Sequence, residues 1–177
     1  MSAGADLRAR IRDIPDFPKP GIVFKDITPL LLDARALQEA VRGLAEWARP
    51  RTVDFVVAPE ARGFILGAAL ALELGAGFVP ARKPGKLPHE TRSAEYVLEY
   101  GVDALEMHAD ALADGARVLV HDDLLATGGT AGALAALVEG AGAAIAGCAF
   151  LVELRFLGGR ARLAPYDVHA LIAYDTE

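Results

Sequence analysis

The segment from Val118 to Thr130 concentrates the residue types best suited to bind a charged ligand. It runs from an apolar stretch through the acidic pair Asp122 and Asp123 into a loop rich in glycine and threonine. Glycines at the start of a helix let backbone N–H groups approach a phosphate closely, and threonine hydroxyls can donate further hydrogen bonds. We therefore predict a monophosphate cradle formed by Ala126, Thr127, Gly128, Gly129 and Thr130.

The acidic pair is unsuited to binding the same phosphate, because like charges repel. Its carboxylates can instead accept hydrogen bonds from sugar hydroxyls or orient a hydrated cation. A ribose 5-phosphate fits this order, with its hydroxyls against Asp122 and Asp123 and its phosphate against residues 126–130. A plainer interpretation, in which the acids end a strand and the glycines cap a helix, explains either half alone. A Walker A loop is excluded because no Gly-Lys-Ser/Thr follows the glycines.

Two other loops carry cations that follow predicted strands. Arg62 precedes Gly63 at an expected helix start, where its guanidinium and the nearby N–H groups could hold a second anion. Arg82, Lys83 and Lys86 follow the next strand and suit a pyrophosphate, although such cations are solvated turn residues in most proteins. The three loops together would bind one substrate that carries a phosphate, a sugar and a pyrophosphate.

The segments that must position these loops alternate between strand and helix patterns. A helix is predicted from its cap Asp33 to Arg49, because apolar residues recur there at three- and four-residue spacing. Further helices are expected at 64–74 and 130–139, and an exposed loop at 82–92. Strands are expected at 53–58, 78–81, 93–100, 116–121, 144–154 and 168–174.

This alternation indicates an α/β fold with right-handed crossovers and a mainly parallel central sheet flanked by helices. Ligands of such sheets bind beyond the carboxyl ends of the strands, where the three loops would lie. A length of 177 residues fits one domain, residues 1–177. A proline-rich stretch at 15–29 separates an N-terminal arm from the body.

Composition and charge narrow the function classes. The net charge of −6 argues against a general nucleic-acid binder, and no apolar run is long enough to span a membrane. Charged residues interrupt the N-terminus before a secretory signal could form, so we expect a cytoplasmic protein. The single cysteine, Cys148, is expected to be a buried thiol in a strand. The four histidines lack the spacing of metal ligands.

The ordered string at 118–130 resembles the signature with which type I phosphoribosyltransferases bind phosphoribosyl pyrophosphate (PRPP). Residues 15–29, 85–88, 98–101, 151–154 and 163–166 are similar to the adenine-specific members, so the resemblance covers nearly the whole chain. It implies the type I phosphoribosyltransferase fold. A small N-terminal hood (about residues 1–32) would cover a core (33–177) that includes a flexible lid loop (about 83–100).

The resemblance also implies an activity, in which adenine and PRPP give AMP and pyrophosphate in purine salvage. Mg²⁺ would be the cofactor, held mainly by PRPP with no metal ligand from the protein, and the chain would form a homodimer. Neither nucleic acid nor membrane is an expected partner. Two alternatives stay open: a phosphoribosyltransferase for another purine base, and a non-catalytic regulator that senses PRPP. A regulator of that kind usually adds a DNA-binding module, for which this chain has neither room nor basic charge.

Residue roles follow from the same resemblance. Main-chain groups around Val23 and Lys25 would read the donor and acceptor of adenine, with apolar packing from Phe24; the same residues could equally be an edge strand. Glu99 matches the catalytic glutamate of the family and would hydrogen-bond or donate to the imidazole ring of the base. The resemblance assigns the binding of pyrophosphate to Arg62 and Lys83, and it places Lys86 and Tyr100 in the lid. Two residues depart from the family pattern: His121 replaces an apolar residue and Lys25 a common arginine.

Overall fold

The computed structural model describes residues 7–98 and 101–176. Its α-helices are α1 (Thr28–Leu32), α2 (Ala34–Ala48), α3 (Arg62–Leu74) and α4 (Gly129–Gly140), and short 3-10 helices span Arg49–Arg51, Arg155–Leu157 and Gly159–Leu163. The strands are β1 (Arg12–Ile14), β2 (Phe24–Asp26), β3 (Phe55–Pro59), β4 (Gly77–Ala81), β5 (Thr91–Leu98), β6 (Gly101–His108), β7 (Arg117–Leu125), β8 (Ala144–Leu154) and β9 (Val168–Tyr174).

The centre of the fold is a five-stranded sheet in the order β4-β3-β7-β8-β9, with every neighbouring pair parallel. Helices α2 and α3 cover one face, where they pack on Val56, Leu119 and Ala149. Helix α4 covers the other face and packs on Val57 and Phe150. Because both faces are covered, the strands are apolar almost throughout. The predicted α/β class with a mainly parallel sheet is confirmed.

Two antiparallel pairs accompany this sheet. Strands β1 and β2 form one pair, in the segment where a hood is predicted, and β5 and β6 form a hairpin. The hairpin joins the edge of the central sheet through a bridge between Arg82 and Glu106. At its other side, the Arg92 guanidinium donates to the carbonyl of Gly140 at the carboxyl end of α4, at 3.0 Å. The division into hood, core and lid remains a prediction.

Most predicted elements are found within a few residues of their expected bounds. Helix α2 begins where expected, and the Asp33 carboxylate caps it by accepting from the backbone N–H groups of Arg35 and Ala36. Strand β7 is longer than predicted: it continues through the acidic pair to Leu125, because pairing with β8 extends to the partners Leu125 and Glu153. Strand β6 is not among the predicted strands. The exposed loop predicted at 82–92 ends at Glu90, because β5 begins at Thr91.

The carboxyl ends of β3, β4 and β7 lie side by side because these strands are adjacent and parallel. Their following loops, at 60–61, 82–90 and 126–128, therefore meet at one edge of the sheet, as the sequence predicted. No helix in the described part of the chain combines the length and apolar character required to cross a membrane.

Two buried side chains of the sheet have shifted acid–base properties. Cys148 is fully buried, as predicted, and burial raises the pKa of its thiol to about 12. His121 is also fully buried, and its Nδ1 lies 2.9 Å from the carbonyl oxygen of Ala149. Its Nε2 has no hydrogen-bond partner among the described residues. Burial lowers the pKa of His121 to about 4, so the ring is neutral at physiological pH.

Acidification should destabilise the fold through His121. The folded-state pKa is about 4 against 6.5 for the unfolded chain, so the unfolded state binds more protons between these values. The contribution of His121 is fully present above pH 6.5 and is lost as the pH falls toward 4, by about 3 kcal/mol. Urea unfolding of the wild type and of His121→Val across this range measures it.

In His121→Val the free energy of unfolding should fall less between pH 6.5 and pH 4 than in the wild type, and the difference should be about this amount. His89→Gln is the control, because its side chain is 63% exposed. An unchanged slope in His121→Val would contradict the assignment.

Candidate active site

The loop between β7 and α4 forms a small cavity. It has a volume of about 70 Å³ and is lined by the consecutive residues Leu124 to Ala131, which include all five residues of the predicted cradle. Gly128 adopts a left-handed conformation (φ 81°) and is the N-cap of α4. The N–H groups of the first helical turn lack intrahelical acceptors, so they are available to an anion. The geometry suits a phosphate.

The cradle backbone is closely backed by a second glycine turn. A Cβ built on Gly128 would lie 2.6 Å from the carbonyl oxygen of Gly159, and one built on Gly159 would overlap the carbonyl oxygen of Ala126. Both positions therefore require glycine, since any side chain would push the two backbones apart. Sequence reasoning found Gly128 but missed Gly159, because nothing local marks a close approach between distant segments.

The acidic pair lies near the carboxyl end of β7, beside this cradle. Asp123 is buried, and its Oδ2 lies 3.1 Å from Nε of Arg62. The Arg62 N–H does not point at this oxygen, which has no hydrogen-bond partner among the described residues. Asp122 Oδ1 accepts from the backbone N–H of Asp123 at 2.8 Å. Burial raises the pKa of Asp122 well above its usual range, and the Asp123 carboxylate raises it further.

Arg62 connects the acidic pair to the N-terminal segment. It is the first residue of α3, and its Cζ lies 4.8 Å from the centre of the Phe24 ring in β2. This is a cation–π distance, and it brings a predicted adenine-binding residue next to a predicted pyrophosphate ligand. Gly63 allows the start of α3 to lie close to the acidic pair, because a Cβ at this position would lie 2.9 Å from Asp122 Oδ1.

The cations after β4 are paired with acids that the sequence analysis did not connect to them. Arg82 donates to Glu60 at 3.0 Å, and Glu60 also accepts from the backbone N–H of Lys83 at 2.7 Å. These two contacts lower the pKa of Glu60. Lys83 Nζ lies 2.9 Å from Asp103 in β6, and this contact raises the pKa of Lys83. The cluster is thus a set of ion pairs at the sheet edge.

The hairpin approaches the cradle through Tyr96. Its hydroxyl lies 3.3 Å from Asp103 Oδ2, the oxygen that pairs with Lys83. The Tyr96 side chain also lies close to that of Thr130 at the start of α4. Lys86 has an exposed side chain, and its carbonyl accepts from Arg82. Glu99 and Tyr100 lie outside the described residues, so their roles stay predictions.

The three predicted adenine-binding residues lie at and beside β2. The Phe24 ring packs edge-on against Phe17, with centroids 5.2 Å apart. The Lys25 side chain is buried and is directed into the N-terminal segment, where Nζ lies 2.9 Å from Asp13 and 4.4 Å from the centre of the Tyr174 ring. The Lys25 ammonium is therefore already paired with Asp13 within the fold.

Comparison with known proteins agrees with this geometry. The phosphoribosyl transferase domain matches residues 30–170. The chain belongs to the phosphoribosyltransferase family. The adenine phosphoribosyltransferase of Rubrobacter xylanophilus is 59% identical to it over 169 residues, which are 95% of this chain and 91% of that protein.

Solved structures extend this comparison. The crystal structure of adenine phosphoribosyltransferase from Thermoanaerobacter pseudethanolicus has a TM-score of 0.95 at 55% identity and covers 97% of this chain and 99% of that one. That of the Saccharomyces cerevisiae enzyme, complexed with an imino-altritol bisphosphate and adenine, has a TM-score of 0.90 at 40% identity, over 96% and 98%. Within its family this phosphoribosyltransferase groups with the adenine-specific pentosyltransferases, which interconvert adenine and AMP in purine salvage.

The glycine contact at the cradle predicts a strong effect for a small substitution. In Gly128→Ala the left-handed conformation and the overlap with Gly159 should lower the free energy of unfolding by about 1–3 kcal/mol and weaken phosphate binding. Urea unfolding and titration with AMP measure both effects.

Gly132→Ala in the same helix is the matched control. A Cβ at Gly132 meets nothing within 4 Å, so alanine should leave AMP binding unchanged and stabilise the helix by about 0.5–1 kcal/mol. Equal behaviour of the two variants would show that the contact is not a constraint.

Proposed function

We propose that the chain binds PRPP and adenine at the carboxyl edge of the central sheet and transfers the phosphoribosyl group to the base. One juxtaposition carries the proposal: the 126–130 cradle, the acidic pair and Arg62 adjoin each other, with Arg62 Nε 3.1 Å from Asp123. A cradle alone fits any phosphate. A cradle beside two carboxylates and a cation fits a sugar phosphate that carries a second anionic group.

In the proposed complex each part of PRPP meets a group of suitable charge. The 5-phosphate accepts from the N–H groups and hydroxyls of residues 126–130. The ribose hydroxyls donate to Asp122 and Asp123. Oδ2 of Asp123 accepts no hydrogen bond from the described residues, so it offers a buried acceptor. Arg62 and Lys83 face the pyrophosphate, for which Lys83 would exchange its contact with Asp103.

The same residues are compatible with Mg²⁺. The described residues contain no group of three or more His, Cys, Asp or Glu side chains placed to hold a metal ion. Asp122 and Asp123 could accept hydrogen bonds from its water ligands, while most of its oxygen ligands would come from PRPP. Bound there, Mg²⁺ would neutralise charge on the departing pyrophosphate.

The reaction requires charge stabilisation at both ends of the breaking bond. The C1–pyrophosphate bond stretches to an oxocarbenium-like state, and N9 of adenine attacks from the opposite face with inversion. Arg62 and Lys83 stabilise the negative charge of the leaving group. Glu99 hydrogen-bonds to the imidazole ring of the base and accepts the proton that the ring loses as N9 bonds to C1; in the reverse reaction it donates that proton to the ring. Tyr100 with Lys86 positions the lid, which excludes water that would hydrolyse PRPP.

Adenine is the base that the hood favours. The crystal structure of the yeast relative contains adenine. In this chain the base would lie at the segment around Phe24, next to Arg62. Main-chain groups at Val23 and Lys25 would read the amino group and neighbouring ring nitrogen of the base. The buried Lys25 side chain supports a main-chain role, because its ammonium already pairs with Asp13.

Incubation of the pure protein with PRPP, Mg²⁺ and each purine base in turn tests the substrate. We expect AMP with adenine and no nucleotide with hypoxanthine, guanine or xanthine. Product from an oxopurine alone would replace the proposal by a related transferase. Binding of PRPP without turnover of any base would favour a regulator.

Glu99→Ala should lower kcat by roughly 10²–10⁴-fold, the usual contribution of a general acid–base group. Glu95→Ala is the control, since Glu95 is an exposed residue of β5 four positions earlier. A Glu99→Ala variant with normal turnover would remove the residue from the mechanism. Steady-state AMP formation measures both.

We also propose a cytoplasmic homodimer. An apolar stripe on α3 supports the second copy: Ile65 and Leu72, seven residues apart and hence on one helix face, are 47% and 84% exposed. Helix α3 begins at Arg62, so a partner on this stripe would adjoin the site.

A charge in this stripe should separate the subunits. Leu72→Glu should give a monomer in sedimentation velocity, because burial of an unpaired carboxylate in an apolar interface is strongly unfavourable. Phe156→Glu, at an exposed apolar residue on another element, is the control and should remain dimeric. A monomeric Phe156→Glu with a dimeric Leu72→Glu would move the interface to that element.

A further inference from the structure

The turn that backs the phosphate cradle is fixed by an ion pair, Glu153 with Arg160. The Glu153 carboxylate is only 4% exposed, although it stands at the carboxyl edge of the sheet. Arg160 binds it with both arms of its guanidinium, Nε to Oε1 at 3.0 Å and Nη2 to Oε2 at 2.6 Å. The remaining arm donates to the carbonyl of Val168 at 2.6 Å. A single side chain thus makes three hydrogen bonds to two strands.

Both members of this ion pair lie next to the cradle. Glu153 is the β8 partner of Leu125, the residue directly before the cradle. Arg160 directly follows Gly159, whose backbone contacts Ala126 and Gly128 so closely that no Cβ fits between them. The turn carrying Gly159 therefore cannot shift without either moving the cradle or breaking the hydrogen bonds of Arg160.

We infer that Arg160 and Glu153 are positioning residues for the 5-phosphate site. They press the Gly158–Gly159 turn against residues 126–128 and so hold the loop in the conformation whose N–H groups face the anion. The physical need is clear, because a loop that presents several unsatisfied N–H groups to one point has little to hold it before the ligand binds. The inference rests on the proposed function only for the identity of the ligand.

A nearby arginine provides a matched control. Arg155 also faces Glu153, but its Nε lies 3.9 Å from Oε2 and its guanidinium instead binds Asp175 at 3.2 Å. Both arginines are about half exposed, 56% for Arg155 and 47% for Arg160. The two substitutions therefore remove the same charge near the same carboxylate, but only one releases the turn.

The test compares Arg160→Ala with Arg155→Ala. Calorimetric titration with ribose 5-phosphate reads the cradle directly, and steady-state assays give KM for PRPP and for adenine. In Arg160→Ala we expect the Kd for ribose 5-phosphate and the KM for PRPP to rise about tenfold or more, with the KM for adenine within about twofold of wild type. In Arg155→Ala all three constants should stay within about twofold of wild type. A purely stabilising role would lower Tm and leave this split absent.

Several results would overturn the inference. These are a folded Arg160→Ala that binds ribose 5-phosphate normally, equal weakening in Arg155→Ala, or a rise in both KM values together. If Arg160→Ala does not fold, Arg160→Lys replaces it: lysine keeps the charge but not the fork, and we expect about threefold weaker ribose 5-phosphate binding. Normal binding by that folded variant would overturn the inference.

The ribose 5-phosphate titration also separates this inference from the proposed function. A wild-type chain that binds the sugar phosphate and forms no AMP would end the proposed catalysis, and the comparison of variants would still decide the role of Arg160. A wild-type chain that does not bind it would overturn both.

Discussion

Balance of charge at the carboxyl edge of the sheet is the constraint on which the rest of the site depends. Strand β7 brings two carboxylates to this edge, and one of them, Asp123, is buried. Buried charge is unfavourable unless it is compensated, and Arg62 at 3.1 Å provides the compensation from the neighbouring loop. Burial and the neighbouring Asp123 carboxylate also raise the pKa of Asp122. A site with this balance can bind a substrate that has hydroxyls at one position and anions on either side.

The same principle explains the loops further along the edge. Arg82 with Glu60, and Lys83 with Asp103, form ion pairs that keep the cations in place without leaving them uncompensated. Because both pairs are partly exposed, each contributes little to stability, and an incoming anion can exchange with a carboxylate at low cost. The edge is therefore arranged for exchange of partners, whereas the pair of Glu153 with Arg160 is held more firmly by its two-armed geometry.

Local patterns in the sequence predict much of the fold. The spacing of apolar residues in α2 and the apolar runs of β7 and β8 are local, and these elements lie where the sequence predicts them. Strand β6 mixes apolar and charged residues without strict alternation, and its pairing with β5 depends on the hairpin rather than on its own composition. The length of β7 likewise depends on its pairing with β8, because acidic residues are otherwise typical of a strand end.

The candidate site divides in the same way. The cradle and the acidic pair are contiguous, so their order is readable, and the structure brings Arg62 to them because β3 and β7 are neighbours. Glu60, Asp103, Glu153 and Gly159 act through segments distant in sequence, and no local signal marks them. Glu153 in particular lies in an apolar run, where its buried pairing with Arg160 is visible only in three dimensions.

The lone cysteine has a practical consequence. Cys148 lies in the middle of β8, fully buried and with a thiol pKa of about 12, so the thiolate that reacts with alkylating agents is almost absent at neutral pH. Alkylation should therefore occur only when the sheet opens around β8. The rate of iodoacetamide labelling then measures how often the core opens around β8. No engineered probe is needed, because the sequence contains no second thiol that could react.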